Sequence, residues 1–180
     1  MRKIILNVAV SLDGFIEGPN GEYDWCFTDQ DYGMTDFLNS TDAIFIGRKS
    51  YELLMGTDPE MFAALKMYVF SNTLTQVDGN AEIITDADFK QRVEEIRHLQ
   101  GGNLWLFGGA ELVTSFVKYS LINEFVLSVH PIILGAGKPL FTGIERTDMM
   151  FLGSEQFSSG LVQLRYTTKP NFDLSMLDNM

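Results

Sequence analysis

Leu104-Trp105-Leu106-Phe107-Gly108-Gly109-Ala110-Glu111-Leu112 is the stretch that decides the fold. A short apolar run stops at two glycines. Leu112, Val113, Phe116 and Val117 then recur at the three-to-four-residue spacing of one helix face. The pattern reads as a buried strand that hands over to a helix through Gly-Gly. Such a junction brings bare backbone N–H groups to a helix N-terminus, where orphan donors and the helix dipole together favour a phosphate. The same dipeptide also serves as an ordinary strand-to-helix turn. The phosphate reading therefore needs support from elsewhere in the chain.

Working outward, the same order recurs upstream. Asp42-Ala43-Ile44-Phe45-Ile46-Gly47 is a buried strand closed by glycine, and Arg48 to Met55 reads as a short helix stopped by Gly56. Lys66 to Phe70 is a strand ending in the polar loop Ser71-Asn72-Thr73. Ala81 to Thr85 is another, followed by a capping-box-like start at Thr85-Asp86-Ala87-Asp88. The helix behind it turns Phe89, Val93, Ile96 and Leu99 inward and ends at Gly101-Gly102. Nearer the N-terminus, Lys3 to Val10 is a strand and Gly18-Pro19-Asn20-Gly21 a turn. Met34, Phe37 and Leu38 mark a short helix between Gln30 and Ser40. Downstream, Glu124 to Ile133 is a strand broken by Pro131, and Met149–Phe157 and Leu161–Thr168 form a hairpin around Ser158-Ser159-Gly160. Strands alternating with helices, then a hairpin, predict an α/β fold. Its central sheet is mostly parallel with an antiparallel C-terminal hairpin, and helices lie on both faces. With neither repeats nor a linker, residues 1–180 are expected to form one domain.

Composition narrows the function. Thirteen basic against 24 acidic residues give a net charge of −11, a surface that repels nucleic acid and anionic membrane. The single cysteine, Cys26, leaves no internal disulfide and suits a reducing cytosol; nothing nearby in sequence would depress its pKa, so it reads as inert. His98 and His130 lie too far apart in sequence to suggest a metal site. The short apolar run at Ile4-Ile5-Leu6 suits neither a signal peptide nor a membrane span. A soluble cytoplasmic protein is the expectation.

Against that acidic background, Gly47-Arg48-Lys49-Ser50 stands out. A helix start disfavours cations, so a local anion is the simplest account of Arg48 and Lys49. Ser71, Asn72 and Thr73 supply hydroxyl and amide donors at a second strand end. In a parallel sheet, ligands bind outside the carboxyl ends of the strands, so these loops and Gly108-Gly109 share one rim. No Gly-x-Gly-x-x-Gly fingerprint follows the first strand, which argues against the common dinucleotide fold.

Four motifs occur in order: Asn7-Val8-Ala9-Val10-Ser11-Leu12-Asp13-Gly14-Phe15-Ile16, Ile46-Gly47-Arg48-Lys49-Ser50-Tyr51-Glu52, Phe107-Gly108-Gly109-Ala110, and Pro131-Ile132-Ile133-Leu134-Gly135-Ala136-Gly137-Lys138-Pro139-Leu140-Phe141. Together they resemble the dihydrofolate-reductase-like superfamily, and within it the reductase domain of riboflavin biosynthesis and its stand-alone relatives. The resemblance implies the three-layer fold of that superfamily and a homodimeric, NADPH-dependent oxidoreductase. Its hydride acceptor would be a small heterocycle, as in 5-amino-6-(5-phosphoribosylamino)uracil reductase. By the same resemblance Gly47, Arg48, Lys49 and Ser50 face the adenosine phosphates. Ser71, Asn72 and Thr73 hold the 2′-phosphate end. Gly108, Gly109 and Ala110, flanked by Phe107 and Glu111, seat the pyrophosphate, and Ala9 and Ile16 approach the nicotinamide.

In dihydrofolate reductases the helix before the Gly-Arg strand starts with a carboxylate that binds the pterin and assists its protonation. Counting back at that spacing lands on Asp31. General-acid work there calls for a raised pKa in an apolar cleft. The competing role is simple helix capping, and Asp13 reads as a turn residue. These 180 residues read as the reductase part alone, without the deaminase half of bifunctional riboflavin enzymes, and no basic cluster in them reads as a ribose-phosphate clamp. A dihydrofolate-type reductase and a non-catalytic nucleotide-binding protein therefore stay open as alternatives.

Overall fold

The computed structural model describes residues 1–57, 59–60 and 62–169. Ten strands and four helices follow in the order β1 (Ile4–Ser11), β2 (Phe15–Glu17), α1 (Met34–Asn39), β3 (Thr41–Gly47), α2 (Arg48–Thr57), β4 (Lys66–Phe70), β5 (Ala81–Ile84), α3 (Phe89–His98), β6 (Asn103–Gly108), α4 (Ala110–Lys118), β7 (Glu124–His130), β8 (Lys138–Pro139), β9 (Met149–Gln156) and β10 (Val162–Thr168). Eight strands make one sheet in the order β5-β4-β3-β6-β1-β7-β10-β9. Pairing is parallel from β5 to β7, and β10 runs antiparallel to both its neighbours. This is the predicted α/β architecture, with a mostly parallel sheet and an antiparallel C-terminal strand pair.

The central strands are continuous apolar runs because both their faces are covered. On one face α3 and α4 pack through Phe89, Val93, Ile96, Val113 and Phe116. Phe45, Phe70, Phe89 and Phe116 meet there with ring centroids 5.2 to 5.6 Å apart. Each such pair adds roughly 0.5–1.5 kcal/mol beyond the area it buries. On the other face α2 contributes Tyr51 and Leu54, and α1 adds Phe37 and Leu38 at the margin. Trp105 anchors this second cluster, and its indole N–H donates to the Asn7 carbonyl at 3.0 Å.

Local expectations fail where packing overrides punctuation. Helix α2 runs through Gly56 to Thr57, because Tyr51 and Leu54 hold it on the sheet and a helical glycine costs only about 1 kcal/mol. Leu99 leaves the inward face of α3: the helix stops at His98, and Leu99 is extended and 54% exposed. Asp88 caps α3 without a side-chain bond to the helix, its carboxylate instead accepting from the Thr85 hydroxyl at 2.9 Å. β7 ends at His130, since Pro131 has no N–H to continue the ladder.

A two-stranded sheet of β2 and β8 was not legible from periodicity. Two or three residues are too few to show an alternation. Its closeness depends on Gly137, whose φ is +149°, and a Cβ there would run into the Glu17 carbonyl.

Candidate dinucleotide groove

β3 and β6 are neighbours, yet the chain leaves them in opposite directions. From β3 it passes through α2 on one face to β4. From β6 it passes through α4 on the other face to β7, beyond β1. That reversal opens a crevice at the carboxyl ends of β3 and β6, the place where open α/β sheets bind ligands. The N-termini of α2 and α4 converge on it from opposite sides.

A groove of about 380 Å³ lies there, lined by Gly47 to Ser50, Ser71 to Thr73, Gly109 to Leu112 and Lys138, among others. The three strand-end loops singled out in the sequence are therefore brought together. Gly108 turns the chain at φ +123°, a conformation that L side chains rarely adopt, and this aims the start of α4 into the groove. Gly109 caps α4. Its N–H donates to Ser50 Oγ at 3.4 Å, which stitches the two helix starts together. Gly47 is not forced by crowding: a Cβ there would meet the Gly108 carbonyl oxygen at an ordinary 3.6 Å.

Charge in the groove is mixed. Arg48 Nη1 donates to both carboxylate oxygens of Glu52, at 2.9 and 3.1 Å, across one helical turn. Lys49 makes no ion pair with any described residue, and Lys138 pairs with Glu17 at 3.4 Å. Glu111 also lines the groove. Its carboxylate suits the α4 dipole, while its backbone N–H is the part that would serve an anion.

The polar loop after β4 is largely occupied with itself. Ser71 Oγ accepts from the backbone N–H groups of Thr73 and Leu74 at 3.1 and 3.0 Å. Asn72 donates to the Asp86 carboxylate at 2.5 Å and accepts from the Asp86 N–H at 2.9 Å. These bonds preform the loop and leave Thr73 at its exposed tip.

Several expected residues lie outside this lining. Phe107 packs against Trp105 and Phe62, with ring centroids 4.9 and 6.0 Å away, so it belongs to the second core cluster. Ala9 sits half-buried in β1, and Ile16, in β2, packs on the first cluster.

Asp31 is exposed, and its Oδ1 accepts from the N–H and hydroxyl of Thr35 at 3.0 and 2.5 Å. Those bonds hold its carboxyl below the usual range, the opposite of the raised value expected for a general acid. Asp13 is likewise engaged. It accepts from the Ser11 hydroxyl at 2.7 Å and from the Leu134 and Gly135 N–H groups at 3.1 and 2.8 Å, so it too is held below its ordinary value.

His130 is buried. Its Nδ1 lies 2.9 Å from the Ser128 carbonyl, and its Nε2 accepts the Phe27 N–H at 3.1 Å, which together fix a neutral ring protonated at Nδ1. Burial pushes its pKa below that of free imidazole. Trp25 and Phe27 pack on the ring, with centroids 5.2 and 5.0 Å away. Cys26 is inert as expected, because burial raises its thiol to about 11.

A larger cavity of about 740 Å³ opens at the amino ends of β1, β6 and β7, where Arg2, Asp36, Glu124 and Arg165 contribute to its walls. Both its arginines are already paired: Arg165 Nε donates to Glu124 at 2.7 Å, and Arg2 pairs with Asp42. Among the described helices only the six-residue α1 starts at it, through Gly33. The smaller groove is the candidate site. Among the described residues no three His, Cys, Asp or Glu side chains gather to hold a metal ion. No helix among them is long and apolar enough to cross a membrane.

A sequence model of the RibD C-terminal domain matches residues 2–163. The chain belongs to that family. The uncharacterized protein YyaP of Bacillus subtilis (strain 168) is 44% identical over 178 residues, spanning 92% of this chain and 94% of the relative. Among solved structures, a protein assigned to riboflavin biosynthesis from Shewanella sp. PV-4 superposes with a TM-score of 0.79 at 26% identity, over 94% of this chain and 100% of that one. A deaminase/5-amino-6-(5-phosphoribosylamino)uracil reductase of Thermotoga maritima gives 0.73 at 14% identity, and the match covers 93% of this chain but 57% of that longer one. Dihydrofolate reductase of Enterococcus faecalis, complexed with NADP(H), gives 0.69 at 12%, over 93% and 97%. The last two likenesses show the fold alone. The RibD C-terminal domain thus shares its architecture with dihydrofolate reductases.

Lys138 is a groove cation that the sequence did not assign to the site. The signal was present in Gly135-Ala136-Gly137-Lys138-Pro139, a glycine-flanked cation in a chain with only 13 basic residues.

Proposed function

We propose that this member of the RibD C-terminal domain family is a cytosolic, homodimeric NADPH-dependent reductase. It would transfer hydride to a small heterocycle of the pyrimidine or pterin kind. One observation carries the reading: two helix N-termini converge at a strand switch point between Arg48, Lys49 and the preformed loop Ser71–Thr73. Two phosphate-binding helix starts and a separate polar loop suit a ligand with a pyrophosphate and a further phosphate, which describes NADPH. The residues fit the group, since the first turn of α4, from Gly109 to Leu112, lines the groove and the one side chain over Gly109 is the Ser50 hydroxyl, itself able to bond a phosphate. In this arrangement the N–H groups at the start of α4 seat the pyrophosphate, and Arg48 and Thr73 favour the 2′-phosphate. When bound, NADPH supplies the reducing equivalent. The chain supplies position and a dry surface against the sheet.

Titration of NADPH and NADH, followed by tryptophan fluorescence, tests this. The reading expects NADPH to bind at least tenfold more tightly; equal affinity removes the 2′-phosphate roles. Absorbance of NADPH followed with dihydrofolate and with the riboflavin-pathway pyrimidine as separate substrates then tests turnover. A second reading, nucleotide binding without turnover, draws on the carboxylates: Asp31 and Asp13 are both engaged and held in the ionised form. Tight NADPH binding with no oxidation in either assay favours that second reading.

A further inference from the structure

Lys138 stands apart from the other groove cations because it comes from β8, outside the β4-β3-β6 platform. The chain after it runs beside α4, where the Thr114 hydroxyl donates to the Thr142 carbonyl at 3.2 Å. Buried Leu140 is fixed through its N–H to the Gly14 carbonyl at 3.0 Å. Gly137 presses β8 onto the backbone of β2 at Glu17. The backbone at Lys138 is therefore held in place, and Lys138 forms part of the groove wall together with the first turn of α4.

Its partner is weakly held. The Glu17 contact is long at 3.4 Å, and both side chains are about a third exposed. Such pairs contribute little, and a lysine readily exchanges one for a phosphate, which offers a charge-assisted bond. We propose that Lys138 grips a phosphate of the groove's ligand, and that Glu17 competes with the ligand for it. This rests on the reading of the groove as a dinucleotide site. Glu17 then sets the affinity from outside the groove, and a bound ligand releases it at the end of β2, where the chain enters the Gly18–Gly21 turn.

NADPH titration of the wild type, Lys138→Met, Lys138→Arg, Glu17→Gln and the double variant decides the matter. Loss of the ammonium is expected to weaken binding about tenfold, and arginine to restore it to within about threefold. Glu17→Gln is expected to tighten binding about three- to fivefold, and to do nothing in the Lys138→Met background, since its effect acts through the lysine. Wild-type affinity in Lys138→Met overturns the proposal. So does weakening by Glu17→Gln, which would make the pair only a clasp between β2 and β8. Tightening that persists in the double variant overturns it as well, because it reports general charge repulsion. A wild type that binds no NADPH removes the dinucleotide reading itself, and the proposal with it; that titration alone separates the two failures.

Discussion

The two halves of the carboxyl rim are built from similar residues and use them differently. At β3 and β6, the backbone donors that begin α2 and α4 face a groove, and Lys49 has no described counter-charge. At β1 and β7 the polar groups are consumed internally. Asp13 ties Ser11 to Leu134 and Gly135, and His130 ties Phe27 to Ser128; before α1, Asp31 is likewise engaged by Thr35. One half keeps hydrogen-bonding capacity for a ligand, and the other spends it on shaping loops. The difference teaches that a carboxylate or imidazole near a rim is no sign of chemistry until its existing partners are counted.

The largest effect should come from the turn that opens the first half. Gly108→Val forces a β-branched residue to φ +123°, a strain of about 1–3 kcal/mol, and swings the first N–H groups of α4 out of line. NADPH affinity is expected to fall about a hundredfold while circular dichroism still reports a folded chain. Asp13→Asn, in the other half, should lower the urea midpoint and leave NADPH affinity within about threefold. If the two variants exchange phenotypes, the division of the rim is wrong.

Arg48→Ala sharpens the comparison within the groove. A guanidinium on a phosphate contributes about 1.5–3 kcal/mol, so NADPH binding should weaken about tenfold or more, with NADH little affected. Equal losses for both cofactors would place Arg48 on the pyrophosphate rather than on the 2′-phosphate.

His130 gives the second half its own signature. Burial lowers its folded pKa, so the neutral ring is favoured in the native state. Its contribution is fully present above the unfolded value of about 6.5 and is lost as the pH falls through the lower folded value, where the ring must take a proton and give up the Phe27 N–H. Urea midpoints at pH 7.5 and pH 5 should therefore separate more for the wild type than for His130→Gln. NADPH affinity should not follow the same difference.

Much of this was legible in advance, for physical reasons that differ by region. The strands β3, β4 and β6 are continuous apolar runs closed by glycine or polar residues, and a sheet covered on both faces leaves that imprint. Phe89, Val93 and Ile96 gave away α3 by spacing alone. What stayed hidden was set by partners distant in sequence. β2 and β8 are too short for any period, and Lys138 enters the groove only because Gly137 lets β8 lie on Glu17. Phe107 lies two residues before Gly109 of the groove, yet its side chain packs with Trp105 on the same face of β6. Asp31 was located by spacing from Gly47, but spacing carries no information about the hydrogen bonds that set its pKa.

Asp31 is where the comparison is most easily broken, although the expected effect is the smallest. Asn keeps the Oδ1 acceptor, so in Asp31→Asn the bonds from the Thr35 N–H and hydroxyl survive and α1 stays in place. The substitution removes only a negative charge that the fold holds ionised. If Asp31 is a helix-start residue and nothing more, NADPH affinity and turnover should both stay within about threefold of wild type, and the pH–rate profile should keep its shape. If turnover collapses while NADPH affinity holds, the carboxylate is handling a proton. Substrate binding would then have to break the Thr35 contacts and raise the pKa that they now depress, so a polar group that the fold spends on its own loop would have to be released in every catalytic cycle.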